Sequence, residues 1–335
     1  MVSGASDTCY DVAVVGGGAA GVMALLRVVL NNDQCLFFPG SSLEKKRSRA
    51  FWVSQVENVP GLLRYKKGIE DPNKETLEWI AASPFAHNLN TKKNRSVTAI
   101  DKDQQSIFHL TDDKGESYRA RYVILCTGIM DVQPLIKGSI QDILPYANVQ
   151  LADYCIRCDG HHTYHKKLAV IGQESSAAWV AIMCHERYKC QSVTMLTNGR
   201  SPEFAPEVQE IIRFYDIKIE TAAIDDIVGD PKKKILHAVK LAGGKQIDLD
   251  IIFISLGSII YNQLAKSLGA EVDGRGYVLG DSKGETSVPN LFVAGDLRAN
   301  AKKQIYTAWD HAVDSADAIN ARIRKSRREQ LMGKS

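Results

Sequence analysis

The chain has 335 residues, a formal net charge of +3, 44% hydrophobic and 24% charged residues, the profile of a globular protein with room for two ordinary domains. The charge is too small to argue for nucleic acid as a partner, and no apolar run reaches the roughly 18 residues of a membrane helix. Met1–Thr8 lacks the basic and apolar regions of a signal peptide, so the expectation is a cytoplasmic protein, in which 7 cysteines, an odd number, do not suggest a structural disulfide framework.

In chain order, Asp11–Val15 (DVAVV) reads as a buried strand, Ala19–Leu30 as a helix and Leu36–Phe38 as the next strand. Between strand and helix stands Gly16-x-Gly18-x-x-Gly21, the context a dinucleotide fingerprint requires. Gly16 suits the tight turn, Gly18 lets the backbone approach a pyrophosphate, and Gly21 lets the helix pack on the strand. The helix start, with Ala19 and Ala20, offers N–H groups and partial positive charge. The acidic residue usual about 20 positions on is replaced by Phe38-Pro39-Gly40, which weakens an NAD reading at this loop.

The pattern recurs with a strand at Lys167–Ile171, a turn at Gly172, a helix at Ser176–Arg187 and a strand at Ser192–Leu196. Near the end, Asn290–Asp296 reads as a strand running into a Gly-Asp turn, followed by a helical stretch from about Gln304 to Arg324. A return of this last segment to the first unit would make the second domain an insertion, with crossings at the strand-to-glycine junctions Cys126–Asp131 and Ile254–Ile259. The expected fold class is α/β, with two Rossmann-like (FAD/NAD(P)-binding, three-layer ββα) domains, the second inserted in the first: 1–130 with 255–335, and 131–254.

Tyr154-Cys155-Ile156-Arg157-Cys158-Asp159-Gly160 is the most informative stretch. Two cysteines with two residues between them can close a small disulfide ring, an arrangement that lowers a thiol pKa, more so beside a cation such as Arg157. Asp159 is placed to donate or accept a proton as the disulfide opens. Cys155, Cys158, His161 and His165 also make a Cys₂His₂ zinc set on paper. A finger, however, has about 12 or more residues between its cysteine and histidine pairs, so no metal is expected. Cys9, Cys35, Cys126, Cys184 and Cys190 read as buried small residues. Arg322, Arg324, Lys325, Arg327, Arg328 and Lys334 read as a solvated helix end, or alternatively as a docking patch for an acidic partner.

These blocks, in this order and over nearly the whole chain, resemble the low-molecular-weight thioredoxin reductases. Gly16–Gly21 resembles the family's FAD pyrophosphate loop. Val56-Glu57-Asn58-Val59-Pro60-Gly61 resembles the block beside its flavin, and Cys126-Thr127-Gly128 its "ATG" junction. Cys155–Gly160 with Lys167–Gly172 resembles "CxxCDG…VAVIGGG", and Gly295-Asp296, Lys303-Gln304 and Thr307 resemble the closing "GD…RQ…T" block. The resemblance implies a homodimer of chains with FAD-binding and NADPH-binding domains. It implies FAD held by Gly16, Gly18, Ala19, Ala20, Gly21, Asn58, Thr127, Gly128, Gly295, Asp296, Lys303, Gln304, Ile305 and Thr307. Asp296 would hydrogen-bond the ribityl or phosphate region, and Gln304 with its neighbouring backbone would face the isoalloxazine. Cys158 would lie nearer the flavin, Cys155 would attack a partner disulfide, and Asp159 would be the acid.

The chain departs from that family where it should hold NADPH. The family's G-x-G-x-x-A is Gly172-Gln173-Glu174-Ser175-Ser176-Ala177, with an anionic side chain in place of the glycine that approaches the pyrophosphate. The His-Arg-Arg run that clamps the 2′-phosphate is Thr197-Asn198-Gly199, followed by a single Arg200. Tyr306 and Trp309 stand where the family has small or aliphatic residues, as packing or as a shield that excludes nicotinamide. The expected function is an FAD-dependent disulfide oxidoreductase acting on a thioredoxin-like protein without NADPH, its donor ferredoxin or another small electron carrier. The alternatives are an NADPH-dependent thioredoxin reductase with an atypical loop, and a non-catalytic FAD-binding redox sensor.

Overall fold

The computed structural model describes residues 8–333. Residues 1–7, 334 and 335, and with them Lys334 of the basic tail, lie outside the described residues. The chain forms two compact units, one of Met1–Phe51, Lys67–Met130 and Ile260–Ser335, the other of Trp52–Lys66 and Asp131–Ile259.

The first unit is built on a sheet of seven strands among the described residues, in the order Leu89–Thr91, Cys35–Phe38, Cys9–Val15, Ser117–Leu125, Phe108–Asp112, Val97–Lys102. The Leu291–Val293 strand pairs in parallel with the C-terminal half of Ser117–Leu125, so one long strand serves both the parallel sheet and the antiparallel meander. The runs YDVAVV and CLFF are buried on both faces, which is what central parallel strands require. Val12 and Val14 face a helical layer that includes Ala20, Ala24, Ala312 and Ala316. Ala13 and Val15 face a second layer with Ile100, Phe108 and Leu110. Small residues let the Ala19–Leu30 and Ile305–Leu331 helices approach closely, and Arg27 ties them through Asp317 at 2.6 Å.

The long helix runs past its expected end near Arg324 to Leu331. Arg322 pairs with Glu285, Arg324 with Asp33 and Arg327 with Asp11. The basic cluster is thus in large part spent on ion pairs within the unit, which favours the solvated helix end over the docking patch. Cys9 is the one cysteine of the five that is partly exposed, at the head of its strand.

The second unit has a parallel sheet in the order Lys218–Glu220, Ser192–Leu196, Lys167–Ile171, Ile251–Ile254, Ala152–Asp153. The Ser175–Tyr188 and Pro206–Phe214 helices cover one face around Val170, Met195 and Phe253. An antiparallel sheet of Ile224–Asp230, Ile235–Leu241 and Gln246–Asp248 belongs to the core on the other. Each unit is a three-layer ββα sandwich. The segment Trp52–Lys66, which carries Val56–Gly61, groups with this second unit and not with the first domain as the sequence division had it. Its Glu57, described below, binds two histidines of the second unit, 104 and 105 residues later.

Candidate active site

In the first unit the glycine loop divides its labour. Gly16 has φ +118°, and a Cβ there or at Gly21 would collide with backbone, at the Cys126 carbonyl and the Gly16 carbonyl respectively. Gly18, which caps the helix, has no protein atom within 4 Å of where a Cβ would stand. The helix start therefore has two glycines spent on packing and a third that leaves room at its backbone. It carries no acidic residue in the first turn and no side-chain cap, so its amides remain available to an anionic group.

Of the other expected cofactor residues in this unit, Thr127 and Gly295 lie against that loop and helix start. Ala294 N–H bonds the Leu125 carbonyl, and a Cβ on Gly295 would come 2.8 Å from Ala20 Cβ, which sets the closing block directly on the helix start. Asp296 follows in a 3₁₀ turn with Arg49 at 3.9 Å. Thr127 Oγ1 donates to the Tyr261 carbonyl at 2.6 Å, and Gly128 takes φ +69° beside it. Gln304 is buried at the head of the long helix, with Ile305 and Thr307 half-buried behind it. Lys303 donates to the Arg298 carbonyl at 2.5 Å and lies 3.9 Å from the Tyr277 ring centroid; burial pulls its pKa down to about 8. Tyr306 is exposed on the same first turn, and Trp309 is half-buried one turn on.

In the second unit Cys155 and Cys158 form a disulfide, with Cα atoms 5.2 Å apart, across the single helical turn Ile156–Asp159. Both Cys158 N–H and Asp159 N–H donate to the Cys155 carbonyl at 2.9 Å. The Cys158 N–H also lies 3.2 Å from Cys155 Sγ, where it would stabilise a thiolate once the bond opens. Gly160 follows without a side chain because the Tyr188 ring occupies the place of a Cβ.

Around this turn sits a charge cluster that sequence reasoning missed. His162 Nδ1 meets Asp153 Oδ2 at 2.9 Å, and its Nε2 meets Glu57 Oε2 at 3.0 Å. His161 Nε2 reaches the same Glu57 oxygen at 2.5 Å. Asp153 is 3% exposed and Asp159, also buried, has a carboxylate oxygen within 4.8 Å of His162. Burial works against a charged His162 ring, but the hydrogen bond and charge of Asp153, then Glu57 and Asp159, outweigh it and raise its pKa to about 9. Burial raises Asp153, while the bond from His161 first, and then those from His162, hold Glu57 low. His162 belongs to the Gly160–Thr163 turn that follows the disulfide, and the Arg157 side chain between the two cysteines is exposed. Of the Cys₂His₂ set, the two sulfurs bond each other and the His165 ring lies tilted against Tyr164 at 4.0 Å. Only the adjacency of His161-His162 to the CxxC motif could have flagged the cluster, since Glu57 is remote in sequence.

The second glycine turn keeps its packing role, because a Cβ at Gly172 would come 2.6 Å from the Ser255 carbonyl oxygen. Its next position is filled. Glu174 caps the Ser175–Tyr188 helix with its side chain exposed. Glu203 N–H bonds the Gln173 carbonyl at 2.7 Å and Ala205 N–H bonds Ser175 Oγ at 2.8 Å, folding the Arg200–Ala205 segment over the helix start. Asn198 is committed to the Leu135 carbonyl and the Ile224 amide, and Gly199 turns at φ +82°.

A dinucleotide cradle in one Rossmann-like unit and a CxxC disulfide beside buried carboxylates in another define a flavin-dependent disulfide oxidoreductase. Residues 10–316 match the family described as pyridine nucleotide-disulphide oxidoreductase, and the chain belongs to it. FAD is the cofactor of that family, and the room at Gly18 fits it. The chain is 27% identical over 321 residues to a thioredoxin reductase of Treponema pallidum, covering 95% of this chain and 98% of that one. Its fold matches thioredoxin reductase from Streptococcus pyogenes (TM-score 0.80, 19% identity, 96% and 100% of the two chains). It also matches that of Giardia duodenalis (TM-score 0.77, 21% identity, 94% and 99%).

Two substitutions separate the glycine roles. Gly18→Ala should leave apoprotein stability within about 0.5 kcal/mol but weaken FAD binding at least about tenfold, whereas Gly21→Ala should cost the apoprotein roughly 1–3 kcal/mol through overpacking. Urea unfolding of the apoproteins and FAD fluorescence titration check this, and equal behaviour of the two variants would contradict it. His162→Asn should destabilise the protein by roughly 3 kcal/mol at pH 6, by leaving buried Asp153 without its cation. A folded pKa above the ordinary 6.5 stabilises below that value and is lost as pH rises through about 9. The gap between wild type and variant in urea unfolding should therefore narrow toward pH 10, and a gap constant from pH 6 to pH 10 would refute the assignment.

Proposed function

We propose that this enzyme moves electrons from FAD to the Cys155–Cys158 disulfide and on to a thioredoxin-like protein, without using NADPH. The observation that carries the second half is the start of the Ser175–Tyr188 helix, where a pyrophosphate would need a bare backbone. Glu174 stands there, with Glu203 in a backbone bridge to it. Two like charges about 4 Å apart repel by roughly 4 kcal/mol at an effective dielectric of about 20. Solvent screens much of this at an exposed residue, yet about 1.4 kcal/mol already costs tenfold in affinity. The neighbouring turn offers a 2′-phosphate one arginine, Arg200, in place of a pair of cations.

The flavin supplies an electron pair when bound. Opening the disulfide takes that pair and two protons, one drawn through Asp159. Cys155, facing the Cys158 amide, then attacks a partner disulfide as thiolate to form a mixed disulfide. Cys158 displaces it, the partner leaves as a dithiol and the Cys155–Cys158 bond is restored. Gly18, Asp296 and Gln304 and the residues around them hold the cofactor in this reading. Tyr306 and Trp309 shield it from nicotinamide, the working unit is a cytoplasmic homodimer, and a small carrier such as ferredoxin delivers the electrons. An NADPH-dependent enzyme with an altered loop is the second reading, favoured by the intact parallel sheet and the retained Gly172 packing.

Anaerobic stopped-flow at the flavin absorbance separates the two. Micromolar NADPH should leave the flavin oxidised for seconds, whereas dithionite or reduced ferredoxin bleaches it and allows thioredoxin reduction. Rapid bleaching by micromolar NADPH would establish the second reading instead.

A further inference from the structure

The cluster beside the disulfide does more than an ion pair requires. Glu57 Oε2, His161 Nε2 and His162 Nε2 converge from two segments, one donor atom from each side chain, all within 4.8 Å of one another. His161 and Glu57 are reachable from solvent, with side chains 49% and 28% exposed. Behind them, buried Asp153 holds His162 through Nδ1 at 2.9 Å. A carboxylate on the far nitrogen of a histidine fixes the ring and turns its other nitrogen outward, which is how metal-binding histidines are oriented.

We propose that Glu57, His161 and His162 form a binding site for a divalent transition cation of the zinc class, with Asp153 orienting His162 and a fourth position open to water. Two imidazoles and one carboxylate suit zinc in donor type and number. Opening the 2.5 Å and 3.0 Å contacts by under about 1 Å each would set the Glu57 oxygen about 3.3 Å from each histidine nitrogen, the edge of a tetrahedron with bonds of about 2.0 Å. Glu57 and Asp153 flank the His162 ring from both sides, and a divalent ion between the ring and Glu57 would balance their two carboxylates. Glu57 comes from the Trp52–Lys66 segment and the histidines from the Gly160–Thr163 turn that follows the disulfide. A bound ion would join those two segments and stabilise them by its binding free energy. The site uses neither sulfur and stands apart from the question of the electron donor.

The test is equilibrium dialysis of the oxidised FAD-loaded protein, disulfide closed, against zinc ion alone, with bound metal counted by atomic emission. One zinc per chain is expected at micromolar free ion. Glu57→Gln and His161→Gln, both on accessible side chains, should weaken it by more than about tenfold, and the double variant Cys155→Ser/Cys158→Ser should bind as wild type does. No stoichiometric binding below about 100 µM, undiminished binding in His161→Gln, or loss of binding in the double serine variant would each overturn the proposal.

Discussion

Asp153 is a carboxylate almost wholly removed from water, and its tolerance rests on one ring, His162. An isolated buried charge costs several kcal/mol, so the imidazole between Asp153 and Glu57 stabilises the fold beside the disulfide turn. The same contact draws Trp52–Lys66 into the unit that bears the disulfide. It also brings the ring within 4.8 Å of an Asp159 carboxylate oxygen.

The two Rossmann-like units show how one frame is committed to different ends. Both keep the glycine at the strand end, Gly16 and Gly172, because carbonyl oxygens of the neighbouring strand end crowd each. They part at the next position. Gly18 leaves its side-chain space open while Glu174 fills its own with an anion, and the Arg200–Ala205 segment is folded over the helix start by Glu203 and Ala205. Packing demands protect the first glycine in both units, whereas only a bound pyrophosphate would protect the second.

Much of this was legible in the sequence where glycine punctuates apolar runs. The Ala19–Leu30 helix and the Lys167–Ile171 and Ser192–Leu196 strands lie at their expected bounds, since a glycine turn and a fully buried run leave little choice of ends. The meander strands Val97–Lys102 and Phe108–Asp112 and the Ile224–Asp248 sheet went unread, because half-buried strands rich in charge carry a weak period-two signal. Asn290–Asp296 shortened to Leu291–Val293 because Gly295 turns the chain at φ +74° into a 3₁₀ helix. Of the site, Cys155, Cys158 and Asp159 were visible from local spacing, but Glu57 and Asp153 were not. Their meeting with His162 spans 105 and 9 residues and depends on tertiary packing alone.

The proposed electron path has flavin and disulfide share electrons within one chain. Anaerobic dithionite titration of the FAD-loaded protein counts them directly. Four electrons per chain to full reduction are expected in the wild type, two for FAD and two for the disulfide, and two in Cys155→Ser. Two electrons in both proteins, with Cys155–Cys158 still oxidised at the end point, would contradict it.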